Sequence, residues 1–200
     1  MMITKKSIIL ERGGYDQAIR QIVKDIITVY KNEGEGEFYL PEHVDEESME
    51  YEFPNLNVSL ELMIEEDESI DDYKVNAAIW KDEDVISITI NYNPKVKDKI
   101  IYDLIGSLNE VIAHELRHYK QRETNLYDLY SKEEPEDPFE YYTQPHEIDA
   151  QVEGFKRMSR ITRRPFEELV RNWFKTHKDI HNLPDEKVGE VINLILKHKN

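Results

Sequence analysis

A chain of 200 residues, 39% hydrophobic and 34% charged, is long enough for one ordinary core and reads as a single globular domain with a heavily solvated surface. It has no cysteine, which excludes disulfides and thiolate chemistry, so any bound metal must rest on His, Asp or Glu. The net charge is -16, no apolar run approaches a bilayer span, and MMITKKSIILERGG lacks a signal peptide's apolar core and cleavage site, so a cytoplasmic protein without a membrane partner is expected.

The first periodic segment runs from Tyr15 to Tyr30. Ala18, Ile19, Ile22, Val23, Ile26 and Ile27 recur at helical spacing after Gly13-Gly14, which predicts an amphipathic helix entered at the glycine pair. The segment between Lys31 and Lys74 then holds 16 Asp or Glu and no Lys or Arg. Its first part is predicted to be loop with one short strand at Glu37 to Leu40. As a charge run it is either a solvated face or a surface that attracts a basic partner.

The period next changes to two. Leu56, Val58, Leu60, Leu62 and Ile64 alternate with polar residues, Val75, Ala77 and Ile79 repeat the pattern, and Ile86, Ile88, Ile90 and Tyr92 complete it. With Asp82 and Glu83 at a tight turn, three consecutive antiparallel strands are expected.

After Asn93-Pro94 the helical period returns. Ile101, Leu104, Ile105, Leu108, Val111, Ile112, Leu116 and Tyr119 share one face, predicting a long helix from about Asp98 to Arg122. SKEEPEDPFE reads as a loop, Pro145 as the first turn of a new helix, and two more helices are predicted from Pro165 and Asp185. The fold class expected is α+β: one domain over residues 1–200, with a helix and antiparallel sheet in 1–97 and a helical part carrying the functional residues in 98–200.

Within the long helix, residues 114–118 read His-Glu-Leu-Arg-His. Residues four apart on a helix share a face with Cβ atoms roughly 5–6 Å apart, so His114 and His118 can converge on one metal ion. Glu115 stands beside them without having to bind, where its carboxylate can take a proton from a water activated by the ion. It also falls on the apolar arc, an expensive place for a carboxylate that has no partner.

A catalytic zinc needs a third protein ligand. Glu147, in the first turn of the helix begun by Pro145, has the helix dipole to favour its ionised form, and His146 and Asp149 are its competitors. Ala150 and Gly154 follow on the same side and are small enough to let the two helices approach closely. His177 and His181 are also four apart, but no glutamate follows the first and the pair falls at a helix end, so a structural or exposed role is expected. Arg163-Arg164 is too short a basic cluster to argue for nucleic acid.

HELRH on a helix after a strand, with a glutamate on a later helix, resembles the zincin metallopeptidases of the gluzincin branch. PHEIDA is similar to the Pro-x-Glu-x-x-Ala segment of small bacterial and phage metallopeptidase-like proteins. The resemblance covers about Ser87 to Phe155. It implies Zn2+ on His114, His118 and Glu147, Glu115 as general base, Tyr141 or Tyr142 near the metal, and an edge strand at Ser87 to Tyr92 that pairs with an extended peptide. The chain departs from the family at Gln151, where many gluzincins have an Asp that orients a histidine ligand; Asp149 is the available substitute. The expected activity is hydrolysis of peptide or isopeptide bonds, with a protein or peptide substrate, basic if the acidic stretch selects it. Two alternatives remain at this level: a catalytically silent zinc-containing binding module, and an acidic polyanion mimic.

Overall fold

The computed structural model describes residues 5–33, 35–40, 59–79, 85–127 and 135–199. The element order is α1 (Lys5–Asn32), β1 (Gly36–Leu40), β2 (Ser59–Glu66), β3 (Tyr73–Ile79), β4 (Val85–Tyr92), α2 (Ile101–Glu123), α3 (Pro138–Tyr142), α4 (Pro145–Thr162), α5 (Phe166–Thr176), α6 (Lys178–His181) and α7 (Asp185–His198). The class is α+β. The chain divides into two compact units, Met1–Leu108 and Asn109–Asn200, with the boundary inside α2. No described helix is long and apolar enough to cross a membrane.

In the first unit, α1 buries Ile19, Ile22, Val23, Ile26 and Tyr30, as the periodicity requires. It starts ten residues before the expected Tyr15, with Gly13 and Gly14 inside it. A glycine in a helix interior costs about 1 kcal/mol relative to Ala but breaks no hydrogen bond, so the ladder runs through the pair.

The sheet differs from the expected antiparallel meander. Its order is β1-β2-β4-β3, with β2 and β4 parallel and the other two pairs antiparallel. β4 therefore inserts between β2 and β3 and is the central strand. The resemblance's edge strand at Ser87 to Tyr92 is accordingly corrected: that segment is hydrogen-bonded on both sides, and β1 and β3 form the edges. The turn expected at Asp82-Glu83, the residues Leu56 and Val58, and acidic residues 41–58 lie outside the described residues.

The physical reason lies in the β2–β3 connection. Residues 67–72 must span two strand spacings, roughly 10 Å, which six residues do easily. The crossing is stapled from the end of β4: Asn93 N donates to Asp72 O at 2.8 Å, Asn93 Nδ2 donates to Ile70 O at 2.7 Å, and Asp67 N donates to Tyr92 O at 2.9 Å. One face of the sheet is apolar and buried, with Leu60, Leu62 and Ile64 opposite Ile86, Ile88 and Ile90. On the other face Ser87 donates to Glu61 at 3.1 Å, and Asn91 to Glu65.

The second unit is helical. Val152 and Phe155 of α4, Phe166, Leu169, Val170 and Phe174 of α5, and Val191, Ile192 and Ile195 of α7 form its core. Helix α3 falls where SKEEPEDPFE was expected to be loop. Pro138 occupies the first helical turn and the Asp137 side chain caps it by accepting from Phe139 N at 2.9 Å, a local start signal that the acidic composition hides.

These faces make opposite demands on substitution. Ile88→Ala, at the centre of the buried face, is expected to cost about 2–5 kcal/mol, against less than ~1 kcal/mol for Thr89→Ala on the polar face. Denaturant unfolding of both variants checks the alternation.

Candidate metal centre

The second unit carries the site on two helices. Helix α2 ends one turn beyond His118 because Asn125 adopts the left-handed conformation (φ 48°), with Leu126 N donating to Gln121 O and Asn125 N to Arg122 O, both at 3.0 Å. This is the Schellman arrangement, for which Asn is among the few tolerant residues. Helix α4 starts at Pro145, which puts Glu147 in its first turn.

The two helices run antiparallel. As α2 is followed forward, its partners on α4 step backward: Asn109 meets Arg157 (2.9 Å), Glu110 meets Gly154, His118 meets Glu147 (3.1 Å), and Gln121 meets the carbonyl of His146 (3.0 Å). At Gly154 the approach is close. A Cβ there would stand 2.9 Å from the Glu110 carbonyl oxygen and 3.0 Å from its Oε1, so only glycine fits without displacement.

That approach brings His114, His118 and Glu147 together. His114 Nε2 and His118 Nε2 are 3.0 Å apart, His118 Nε2 is 3.1 Å from Glu147 Oε1, and His114 Nε2 is 3.6 Å from Glu147 Oε2. Among the described residues these three form a group able to hold a metal ion. Atoms bound tetrahedrally to one zinc at roughly 2.0–2.1 Å lie about 3.3 Å from one another, so the observed separations suit a single small cation. Glu147 Oε2 is also buried without a hydrogen-bond partner, a state that a cation would relieve. Two imidazoles and a carboxylate are a donor set typical of catalytic rather than structural zinc. The residues fit the group.

The electrostatics agree. Burial pushes the His114 imidazole down to about 3, with His118 adding to the effect, so it stays neutral and able to ligate. Burial opposes the charge on Glu147 and on His118, but their mutual hydrogen bond and attraction win: Glu147 falls to about 2 and His118 rises to about 9. The metal-free pair is thus a carboxylate and an imidazolium, the second of which must lose its proton to bind a cation. Glu115 is buried at 7% exposure, its Oε1 4.0 Å from His114 Nε2. Burial and the nearby Glu115 charge raise Glu110 to about 8, so this carboxyl is neutral at pH 7.

Of the competitors for the third ligand position, Asp149 is engaged elsewhere, while His146 stands beside the group. Asp149 accepts from Arg117 Nε at 2.6 Å and from Gln121 Nε2 at 2.9 Å, while His198 Nε2 lies 3.8 Å from its other oxygen. His146 Nε2 is 3.6 Å from Glu147 Oε1, with its ring 5.8 Å from that of His118. Tyr141 lies by the site; burial, then the charges of Glu147 and Glu115, hold its hydroxyl far above the usual tyrosine range. Tyr142 packs edge-on against Trp173, Phe174 and His181, and burial, then the charges of Glu147 and Glu110, hold its hydroxyl above the usual range as well.

No protein-family model, curated protein or solved structure matches the chain. The site stands on its own geometry.

The second histidine pair takes no part in it. His181 is 1% exposed, its Nε2 donates to Phe174 O at 2.7 Å and its Nδ1 accepts from Leu183 N at 3.0 Å, so both nitrogens serve the backbone. His177 stacks on Trp173. The residues that sequence reasoning missed are Gln121, Arg117, Glu110 and Tyr127, the last with its ring 6.3 Å from that of His146. Gln121 and Glu110 do lie at helical spacing from the histidines, but nothing in their type marks them.

Elemental analysis is expected to find about one zinc per chain, lost in His118→Ala and in Glu147→Ala. Because the metal must displace the His118 proton, apparent affinity should rise about tenfold per pH unit up to pH about 9 and level off above it, measured by chelator competition. Affinity that does not change between pH 6 and 8 would contradict this coupling. Gly154→Ala should destabilise the chain by about 1–3 kcal/mol and weaken zinc binding, since α4 must retreat from the Glu110 carbonyl.

Proposed function

We propose that this chain is a zinc-dependent hydrolase with a zincin-like, gluzincin-type site that cleaves peptide or isopeptide bonds. The observation that carries the proposal is a carboxylate, Glu115, buried beside a two-histidine, one-carboxylate ligand group on two antiparallel helices. A structural zinc site has no use for a further buried carboxylate at its side, whereas hydrolysis requires one.

His114, His118 and Glu147 would hold the zinc, which when bound supplies a Lewis acid that polarises a carbonyl and eases the ionisation of water. Glu115 takes the proton of the attacking water and returns it to the leaving amine, and its burial keeps competing solvent from its carboxylate. Tyr141, protonated across the physiological range, offers a neutral donor to the oxygen on which charge develops. The ionised Glu147 offsets part of the cation's charge.

The acidic stretch favours basic peptides as substrates. Glu61, Glu65 and Glu68 are exposed in its described part, and a surface of one sign raises the local concentration of oppositely charged partners.

The test is hydrolysis of a peptide mixture by the zinc-loaded wild type and by Glu115→Gln. The variant is expected to keep its zinc while its rate falls about 10²- to 10⁴-fold. Cleavage by Glu115→Gln at the wild-type rate would sink the proposal, and preference for basic peptides should fade as salt is raised.

A further inference from the structure

We infer that Gln121 is the positioning residue for the metal ligand His118, and that Asp149 and Arg117 act on the ligand through it; the inference rests on the metal reading of the site above. Gln121 is fully buried one turn beyond His118 and reaches three partners at once. Its Nε2 faces the His146 carbonyl oxygen at 3.0 Å and Asp149 Oδ2 at 2.9 Å, and its Oε1 faces His118 Nδ1 at 2.9 Å.

Those partners fix the orientation of the amide. A carbonyl oxygen and a carboxylate oxygen can only accept, so the group facing both must be the NH2 end. The end facing His118 is then the carbonyl, which can only accept in its turn. His118 Nδ1 therefore carries a proton, which leaves Nε2, the nitrogen facing His114 and Glu147, as the one that can give up its proton to a cation.

The carboxylate that usually orients a metal-bound histidine is here one residue removed. Asp149 does not touch His118. It holds the Gln121 amide, and is itself held by Arg117 Nε at 2.6 Å, with His198 Nε2 3.8 Å from its outer oxygen. The chain of bonds runs from Arg117 on α2 to Asp149 on α4 and back to Gln121 and His118 on α2, so it also ties α2 to the first turns of α4, where Glu147 stands. A neutral amide in contact with the ligand adds no second negative charge beside Glu147. The ligand is oriented without making the buried site more anionic.

The geometry predicts that residue 121 needs an acceptor facing His118 Nδ1 and a donor facing Asp149. Gln121→Leu keeps the volume and helix propensity but removes both groups; Gln121→Glu keeps the acceptor but sets a second carboxylate against Asp149, and adding Asp149→Asn restores a donor between the two side chains. The experiment is zinc affinity of the full chain by chelator competition, together with the His118 Nδ1–H signal and its exchange with water by 15N–1H NMR on metal-free and zinc-loaded protein. Gln121→Leu should bind zinc about 10- to 100-fold more weakly and lose the slowly exchanging Nδ1–H signal, and Gln121→Glu with Asp149→Asn should recover most of both. Asp149→Asn alone should weaken zinc several-fold.

Unchanged affinity and Nδ1–H exchange in Gln121→Leu would overturn the inference while leaving the metal site standing. So would a loss in Gln121→Leu that Gln121→Glu with Asp149→Asn does not recover, or unchanged affinity in Asp149→Asn. If the wild type took up no zinc, the metal reading would fall alone, and the Nδ1–H signal of the metal-free protein would decide the role of Gln121 by itself.

Discussion

The site depends on how closely α4 approaches α2. Ligand atoms on two helices must come within about 3.3 Å of one another to share a small cation, and helix axes ordinarily pack 8–10 Å apart. Glycine at position 154 leaves no side chain to hold the helices apart there, and the Glu110 carbonyl lies against the space a Cβ would fill. Farther along the same seam, His118 and Glu147 then meet at 3.1 Å. The antiparallel course of the helices sets which residues face each other, so the start of α4 meets the end of α2. The first turn of α4, where the dipole supports an anion, is thereby delivered to the histidines.

A seam this close concentrates acid in a dry place. Glu110, Glu115 and Glu147 are all buried, yet their surroundings separate them. Glu147 is kept ionised by its histidines, and Glu110 is kept neutral by burial and by Glu115. On the proposed reading the carboxyls thus divide into a ligand, Glu147, a base, Glu115, and an uncharged packing group, Glu110. Outside them, Arg117 and Asp149 form a charged pair that reaches the ligands only through the Gln121 amide. A dication among the ligands would balance the charge that the metal-free site meets by holding a proton on His118.

The helices and the ligand candidates were legible in the sequence because both are local. The apolar spacing from Ile101 to Tyr119 defines α2, and His114, Glu115 and His118 carry their geometry in their own spacing. Pro145 places Glu147 in a first turn, and the small Gly154 foretold the close approach. The sheet order was not legible. Alternation reports which face a residue occupies but not which strand is its neighbour, and the insertion of β4 between β2 and β3 depends on Asn93 stapling a distant loop. Gln121 escaped notice for a similar reason: its partners His146 and Asp149 sit 25 and 28 residues away on another helix.

The most direct test of the metal centre is an anomalous difference map, collected at the zinc edge from crystals of the zinc-loaded protein. The account predicts one strong peak roughly 2.0–2.1 Å from His114 Nε2, His118 Nε2 and a Glu147 oxygen. A peak at His177 and His181 or on the acidic strands, with none between α2 and α4, would contradict it.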